Sequence, residues 1–320
     1  MGIPKLNQYL RDNCKKGIES RSLNSLRGKP IVIDASIYLY RYLSENALIE
    51  NLYLMITKLR LFNIPAIFVF DGKPPIEKYD EIERRYQKKI SSKQEYDKIY
   101  EIYKNSHDIH ERSKLKYTLD CLRRQFIKLT TENIIEAKQL IISYGMQYID
   151  APGEADIICA KLVQKKIAYA CLSEDMDMFV YGCKRVLRYL SLMNSTVIFY
   201  DLDVILSELN ISFTNFRDIC LISGSDYEKN MNRNIYKTFK MFDKYVKQIR
   251  NNRQENISFY NWLINNTSYI SSNFDIEKLE NMFDLTTINM KDIELDKIYI
   301  RQVDSDILTE ILSNNGFIFI

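Results

Sequence analysis

The sequence predicts an α/β protein built on a doubly wound, mainly parallel sheet. Three apolar runs carry that expectation: PIVIDAS at 30–36, PAIFVFDG at 65–72 and IAYACLSEDMD at 167–177. Each is apolar at nearly every position, as a strand covered on both faces must be, and each gives way to a helix-period pattern. Strands alternating with helices assemble into sheets wound on both faces. A fourth short run, MQYIDAPGEAD at 146–156, leads through Pro152 and Gly153 into another helix.

Taken in order, the chain opens MGIPKLNQYLRDNCKK, which is polar after one turn and is not a signal peptide. Leu6 stands where a myristoylation signal needs Ser or Thr. The first strand ends at Asp34, with Tyr38 and Tyr40 just beyond it, and the second ends at Asp71. From about 77 to 130 the texture changes to dense charge with interleaved Tyr, helical throughout, which reads as an insertion or a solvated helical pair. After Gly153, Asp156 shares a helix face with Cys159, Ala160 and Val163, so it points toward the sheet. The third strand ends at Asp175 and Asp177, two apart and therefore on one side of an extended segment. FRDICLISGSDY (216–227) ends a helix near Gly224 and offers Asp226, and Ile235, Phe239, Phe242 and Val246 mark an amphipathic helix. Residues 250–320 are Asn-rich with helical patches and no repeat or motif.

Composition removes several function classes. Forty-five basic and 42 acidic residues nearly cancel, so any electrostatic role must come from segregation of charge. No apolar run approaches the roughly 20 residues that span a bilayer, so no membrane partner is expected. Six scattered cysteines without a CxxC read as free thiols of a reducing, intracellular compartment. Only His107 and His110 exist, both far from the acids, which disfavours zinc sites and a His-based triad. Abundant Asn, Ile, Lys and Tyr beside scarce Gly and Pro read as the coding bias of an AT-rich genome.

In open α/β sheets ligands bind beyond the carboxyl ends of the strands, and this chain sets acids there repeatedly. Asp34, Asp71, Glu154, Asp156, Asp175, Asp177 and Asp226 are the candidates. Singly, each has a plain alternative: Asp34 could cap a helix, and Glu154 could be a first-turn acid favoured by the helix dipole. Together they would repel and raise one another's pKa, which a divalent cation relieves. Ligands that are all oxygen point to Mg²⁺ or Mn²⁺, and two such ions suit phosphodiester hydrolysis.

The chain resembles the flap endonuclease (XPG-type) family of structure-specific 5′ nucleases. The matching stretches are MGIPKL at 1–6, VIDAS at 32–36, VFDGKPP at 69–75, APGEADIICAKL at 151–162, SEDMD at 173–177 and GSDY at 224–227, in family order over roughly residues 1–230. Asp156 stands where flap endonucleases carry Glu, as in the related 5′ exonuclease branch. The resemblance implies a PIN-like fold, with a nuclease core over 1–227 and a helical arch insertion over 79–130. A helical C-terminal region, 228–320, would include a helix–two-turn–helix-like segment at 228–250. It implies two Mg²⁺ ions, with Mn²⁺ able to substitute, held by Asp34, Asp71, Glu154, Asp156, Asp175 and Asp177, with Asp226 at the edge. Lys78 and Arg85, seven apart and hence on one helix face, fall on the family's catalytic basic residues at the foot of the arch. Gly2, Tyr38, Tyr40, Arg84, Lys88, Lys89, Lys229, Arg233, Lys237 and Lys240 are the implied DNA contacts. The substrate would be flapped or branched duplex DNA with a 5′ single strand, cut by a monomer in replication, recombination and repair. AT-rich coding and an undecorated C-terminus suggest the poxviral branch of the family, and with it the host cytoplasm; outside that branch the resemblance implies the nucleus.

Two departures from the family pattern stand out. The stretch corresponding to the helix–two-turn–helix, EKNMNRNIYKTFK at 228–240, lacks the glycines that normally accompany a bound potassium ion. No terminal sliding-clamp motif is recognisable. The competing readings are a 5′→3′ exoribonuclease, which shares an MGxPK-type start, and an inactive scaffold, which would have lost some of the acids.

Overall fold

Seven strands form one sheet, in the order β1-β7-β6-β5-β2-β3-β4. They are β1 (Ile18–Ser22), β2 (Ile31–Asp34), β3 (Ala66–Phe70), β4 (Gln147–Asp150), β5 (Ala170–Leu172), β6 (Arg185–Ser191) and β7 (Thr196–Asp201). The structure, a computed structural model, describes residues 2–224, 233–252, 257–271, 274–286, 295 and 297–319; the candidates Asp226 and Lys229 lie outside them. The four runs legible in the sequence are β2 to β5. They are parallel to one another, and β6 extends the parallel block. β7 turns antiparallel to β6, and β1 closes that edge antiparallel to β7.

Strand residues alternate between two cores, as the period of two requires. Val32, Ile67, Val69, Cys171, Val186 and Tyr200 enter one core, while Ile31, Ile33, Phe68, Leu172, Leu187 and Phe199 enter the other. The first core is covered by α1 (Leu6–Asn13) and the second by α2 (Ala35–Ser44) and α3 (Leu48–Leu61). Helix on both faces makes the sheet doubly wound, as the sequence predicts.

Between β3 and β4 runs a pair of long helices, α4 (Tyr79–Asn105) and α5 (Ile109–Phe126), which pack chiefly on each other. Their 45-residue charged texture leaves them little core: only Glu81 and Ser92 of α4 and Leu119 and Leu122 of α5 are buried. Polar and aromatic contacts hold the pair instead, Ser92 Oγ donating to Gln125 at 3.0 Å and Tyr96 packing edge-on to Phe126. Asp108 caps α5 by accepting from His110 N. α6 (Thr131–Ser143) then starts on a capping box between Thr130 and Asn133 and leads into β4.

α7 (Ala155–Gln164), the one-turn α8 (Asp177–Val180), α9 (Leu202–Leu209) and α10 (Phe213–Ser223) complete the first core. α11 (Ile235–Asn252), α12 (Phe259–Asn266) and α13 (Ile276–Met282) pack on its outer side through Phe239, Phe242, Trp262 and Leu279. The chain then returns to the opposite face. Arg301 N donates to Gly145 O and Asp304 N to Ser143 O, both at 2.8 Å. α14 (Ser305–Asn314) drops Leu308, Ile311 and Leu312 into the second core beside Ala137, Leu140 and Ile141. The C-terminal region therefore serves both cores. Among the described residues no helix is long and apolar enough to cross a membrane.

Leu312 is 2% exposed, so truncating it leaves a hole that α6 cannot readily fill. Leu312→Ala is expected to cost about 2–4 kcal/mol, read as a lower urea midpoint with an unchanged slope.

Candidate active site

The carboxyl ends of β2, β3 and β5 and the start of α7 converge on one edge. Asp34 ends β2 at the N-cap position of α2, yet its side chain makes no cap bond. Its Oδ2 instead accepts from Ser173 Oγ at 3.0 Å, in the loop after β5. Ser173 Oγ also accepts from Asp175 N at 3.1 Å, and Asp175 Oδ1 from Asp177 N at 3.0 Å. One hydroxyl thus ties the end of β2 to the loop bearing the paired acids.

Asp71 is brought in by a close approach of backbones. Gly72 N donates to Gly153 O at 2.7 Å, and a Cβ on Gly72 would overlap Ala151 O. That contact sets Asp71 Oδ1 2.8 Å from Ala155 N, the first residue of α7. Glu154 occupies the N-cap of α7 without a cap bond and is ion-paired with Lys78. Asp156, in the first turn of α7, is half-buried, and its Oδ1 is shut from solvent with no hydrogen-bond partner among the described residues.

These carboxyls sense one another. Burial and the Asp71 charge push Asp34 up to about 7 against the Ser173 hydrogen bond, with Asp175 adding to the rise. Burial also raises Asp156 well above the carboxylate range, reinforced by Asp34, Asp175, Asp71 and Asp177. Both shifts have the sign of an uncompensated cluster of negative charge. Among the described residues, no three acidic, His or Cys side chains close on one point at coordination distance. The acids run from buried Asp34, Asp175 and Asp177 out to exposed Asp71, and oxygen donors set between core and solvent suit a hard cation that keeps several of its waters, as Mg²⁺ does. Oxygen-only donors, the orphaned Asp156 Oδ1 and the mutual repulsion together fit a divalent cation.

The N-terminus closes over this edge. Gly2 has φ +76°, and a Cβ there would overlap Asp175 Oδ1 and lie 2.8 Å from Asp177 N. The implied DNA contact Gly2 is therefore packed directly on the acids. At the foot of α4, Arg84 and Arg85 both pair with the buried Glu81, Arg85 Nε at 2.9 Å. Lys88 is exposed. Lys89 donates to Ile127 O at 3.2 Å and sits 5.2 Å over the half-exposed ring of Tyr40.

Two expected DNA contacts are corrected. Tyr38 is 1% exposed: with Ala35, Leu39 and Tyr42 it forms the inward face of α2, so no base can stack on it. Arg233 is also buried, its guanidinium 4.5 Å over the Phe274 ring, and cannot serve a phosphate. Lys237 and Lys240 are exposed on α11. Sequence reasoning passed over Ser173 and Arg188. A charge between Val186-Leu187 and Tyr189-Leu190, in the middle of RVLRYLS, was the available signal for Arg188.

Residues 1–92 match the family model of the XPG N-terminal domain, and residues 145–226 that of the XPG I-region. Flap endonuclease 1 of Encephalitozoon cuniculi (strain GB-M1) is 31% identical over 71% of this chain and 68% of its own length. The chain belongs to the XPG/flap endonuclease family. Flap endonuclease 1 of Glycine max is 30% identical and that of Cryptosporidium parvum (strain Iowa II) 29% identical; the chain spans 62% and 50% of their lengths, with 71% of this chain covered in each case. The fold is shared with the catalytic core of Rad2 in complex with DNA substrate, at TM-score 0.70 and 21% identity over 98% of this chain and 95% of that one. Flap endonuclease-1 from Methanococcus jannaschii shares it too, at TM-score 0.60 and 18% identity over 93% and 90%.

The raised carboxyls have a consequence for stability. Asp34 titrates near 3.8 in an unfolded chain and near 7 in the fold, so the fold favours its neutral form. Its stabilising contribution is full below about pH 4 and is lost as pH rises through about 7. In chelator, Asp34→Asn is expected to melt several degrees above the parent at about pH 8, the two curves meeting toward pH 4. A parent and variant that differ equally across this range would contradict the assignment.

Proposed function

We propose that this chain is a structure-specific 5′ nuclease that hydrolyses phosphodiesters of flapped or branched DNA carrying a 5′ single strand. The observation that carries the reading is the carboxyl edge itself, with Asp34 and Asp156 raised by burial and by their acidic neighbours beside the Lys78–Glu154 pair. Two Mg²⁺ ions, or Mn²⁺ in their place, would supply Lewis-acid stabilisation and a water of lowered pKa. Asp34, Asp71, Glu154, Asp156, Asp175 and Asp177 would hold them, with Asp226 at the edge.

The chain's own part is to grip and orient the phosphate. Lys78 and Arg85 rest on Glu154 and Glu81, and each exchanges a carboxylate for a phosphate oxygen when DNA arrives. A cation so exchanged stabilises the transition state most, because negative charge grows there. Arg84, Lys88 and Lys89 extend the positive foot, Tyr40 offers an exposed ring, and the α4–α5 pair, with its Lys, Arg and Tyr, is the arch through which a single strand passes. Lys237 and Lys240 contact the duplex backbone.

We further read the protein as a monomer acting in replication, recombination and repair within a reducing compartment. All six cysteines are free thiols and five are buried, which supports that setting. The AT-rich composition supports a poxviral source and the host cytoplasm. Persistence of the acids favours an enzyme over an inactive scaffold.

Labelled flap, nicked duplex, junction and RNA substrates in Mg²⁺ test the reading. The flap is expected to be cut to 5′-phosphate and 3′-hydroxyl ends, with EDTA abolishing cleavage and Asp175→Asn removing most turnover but little duplex affinity. Undiminished cutting in excess EDTA, or a preference for RNA, would sink it. Gly2→Ala should slow single-turnover cleavage by about 100-fold and lower the melting temperature, because the added methyl is strained at positive φ and displaces Asp175 by the order of an ångström. Parent-like cleavage in that variant would show that the N-terminal contact does not position the acids.

A further inference from the structure

The loop bearing Asp175 and Asp177 is held from behind by a buried cation. Arg188 lies on β6, one residue past the pairing of Leu187 with Leu172, and is 5% exposed. Its Nη2 donates to the Glu174 carbonyl at 2.8 Å, and its Nε lies 3.6 Å from the Glu174 carboxylate. The next residue joins the grip, Tyr189 N donating to Glu174 Oε1 at 2.6 Å. Glu174, the remaining acid of SEDMD, is thus directed to β6 rather than to the ion edge. Its carbonyl and its carboxylate both fasten the backbone immediately before Asp175.

The other arm of the guanidinium reaches the N-terminal segment. Nη1 donates to Asn7 Oδ1 at 2.7 Å, an oxygen that also accepts from Tyr200 OH at 2.7 Å. Asn7 Nδ2 in turn donates to Tyr189 OH at 2.8 Å. Asn7 therefore fixes the start of α1, five residues after the glycine that packs on Asp175 and Asp177. Withdrawing a guanidinium from water is costly unless its donors are matched. Here two of them are spent on the two chain segments that border the paired acids. Tyr189 carries φ +55°, a left-handed conformation that a tyrosine adopts only when its surroundings impose it.

We propose that Arg188 is the positioning residue of the metal-binding loop, setting Asp175 and Asp177 by clamping Glu174 and anchoring the N-terminal segment through Asn7. The inference rests on the assignment of Asp175 and Asp177 as ion ligands under the proposed function. Arg188 touches neither substrate nor ion, so its effect is read in ion affinity. Groups behind ligating carboxylates typically change affinity by about 10–100-fold when removed.

The test is Mn²⁺ titration calorimetry on the DNA-free protein, paired with flap cleavage across a Mg²⁺ series. Arg188→Met keeps the bulk and loses the fork. It is expected to raise the Mn²⁺ Kd about 10–100-fold and to shift half-saturating Mg²⁺ by a similar factor, with kcat recovering in excess metal. Asn7→Ala, at a half-buried position, should shift both in the same direction by less. A folded Arg188→Met with parental Mn²⁺ affinity, or a loss of turnover that excess metal does not recover, overturns the proposal. Should Arg188→Met fail to fold, parental affinity in Asn7→Ala overturns it alone. A parent that binds Mn²⁺ but cleaves no DNA would remove the functional reading and leave this one to the affinity shift. A parent that binds no Mn²⁺ removes both.

Discussion

The structure depends on one unfavourable interaction, the repulsion among carboxyls set at the ends of buried parallel strands. A sheet wound on both faces is the rigid body that can impose it. β2, β3 and β5 lie side by side in a dry core, so their ends cannot move apart without breaking ladders and packing on both sides. Asp34 and Asp156 respond by shifting upward in pKa instead of by separating. Hydrophobic burial on the two faces thus opposes charge repulsion at the edge, and a cation of matching charge would relieve it.

Around that edge four basic side chains already have partners among the described residues. Lys78 pairs with Glu154, Arg84 and Arg85 share Glu81, and Arg188 is enclosed by Glu174 and Asn7. Arg84 and Arg85 keep 55% and 41% of their side-chain surface in water and can exchange Glu81 for another anion. Arg188 cannot, because opening its contacts would strand a charge away from water. Burial therefore divides the basic residues into those able to move onto a ligand and one that holds the frame.

Much of this was legible in the residues. Three near-continuous apolar runs gave β2, β3 and β5, a shorter run at 146–156 gave β4, and the acids that end or follow them gave the functional edge. The edge strand β1, IESRS, was silent because a strand exposed at the margin carries no apolar run. β6 and β7 pair with each other, β6 also with β5 and β7 with β1, and the alternation of β6 is interrupted by buried Arg188. Tyr38 and Arg233 show the limit from the other side. Their types suit nucleic acid, but helix phase turns Tyr38 inward and Phe274 covers Arg233, facts that depend on tertiary contacts. The bonds of Ser173 and Asn7 to residues far away in the chain left no local pattern to read.

The long helices between β3 and α6 have a mechanical consequence. α4 holds 27 residues and is about 40 Å long. Little apolar surface pins its length, so beyond its packing on α5 its orientation is set at the foot, by Lys78 with Glu154 and by Lys89 against Ile127. It is a lever with a short, polar fulcrum. A tilt of about 10° at that fulcrum carries the far end through roughly 7 Å over such a length. A phosphate that draws Lys78 from Glu154 would therefore act as a trigger whose small local displacement is multiplied at the tip.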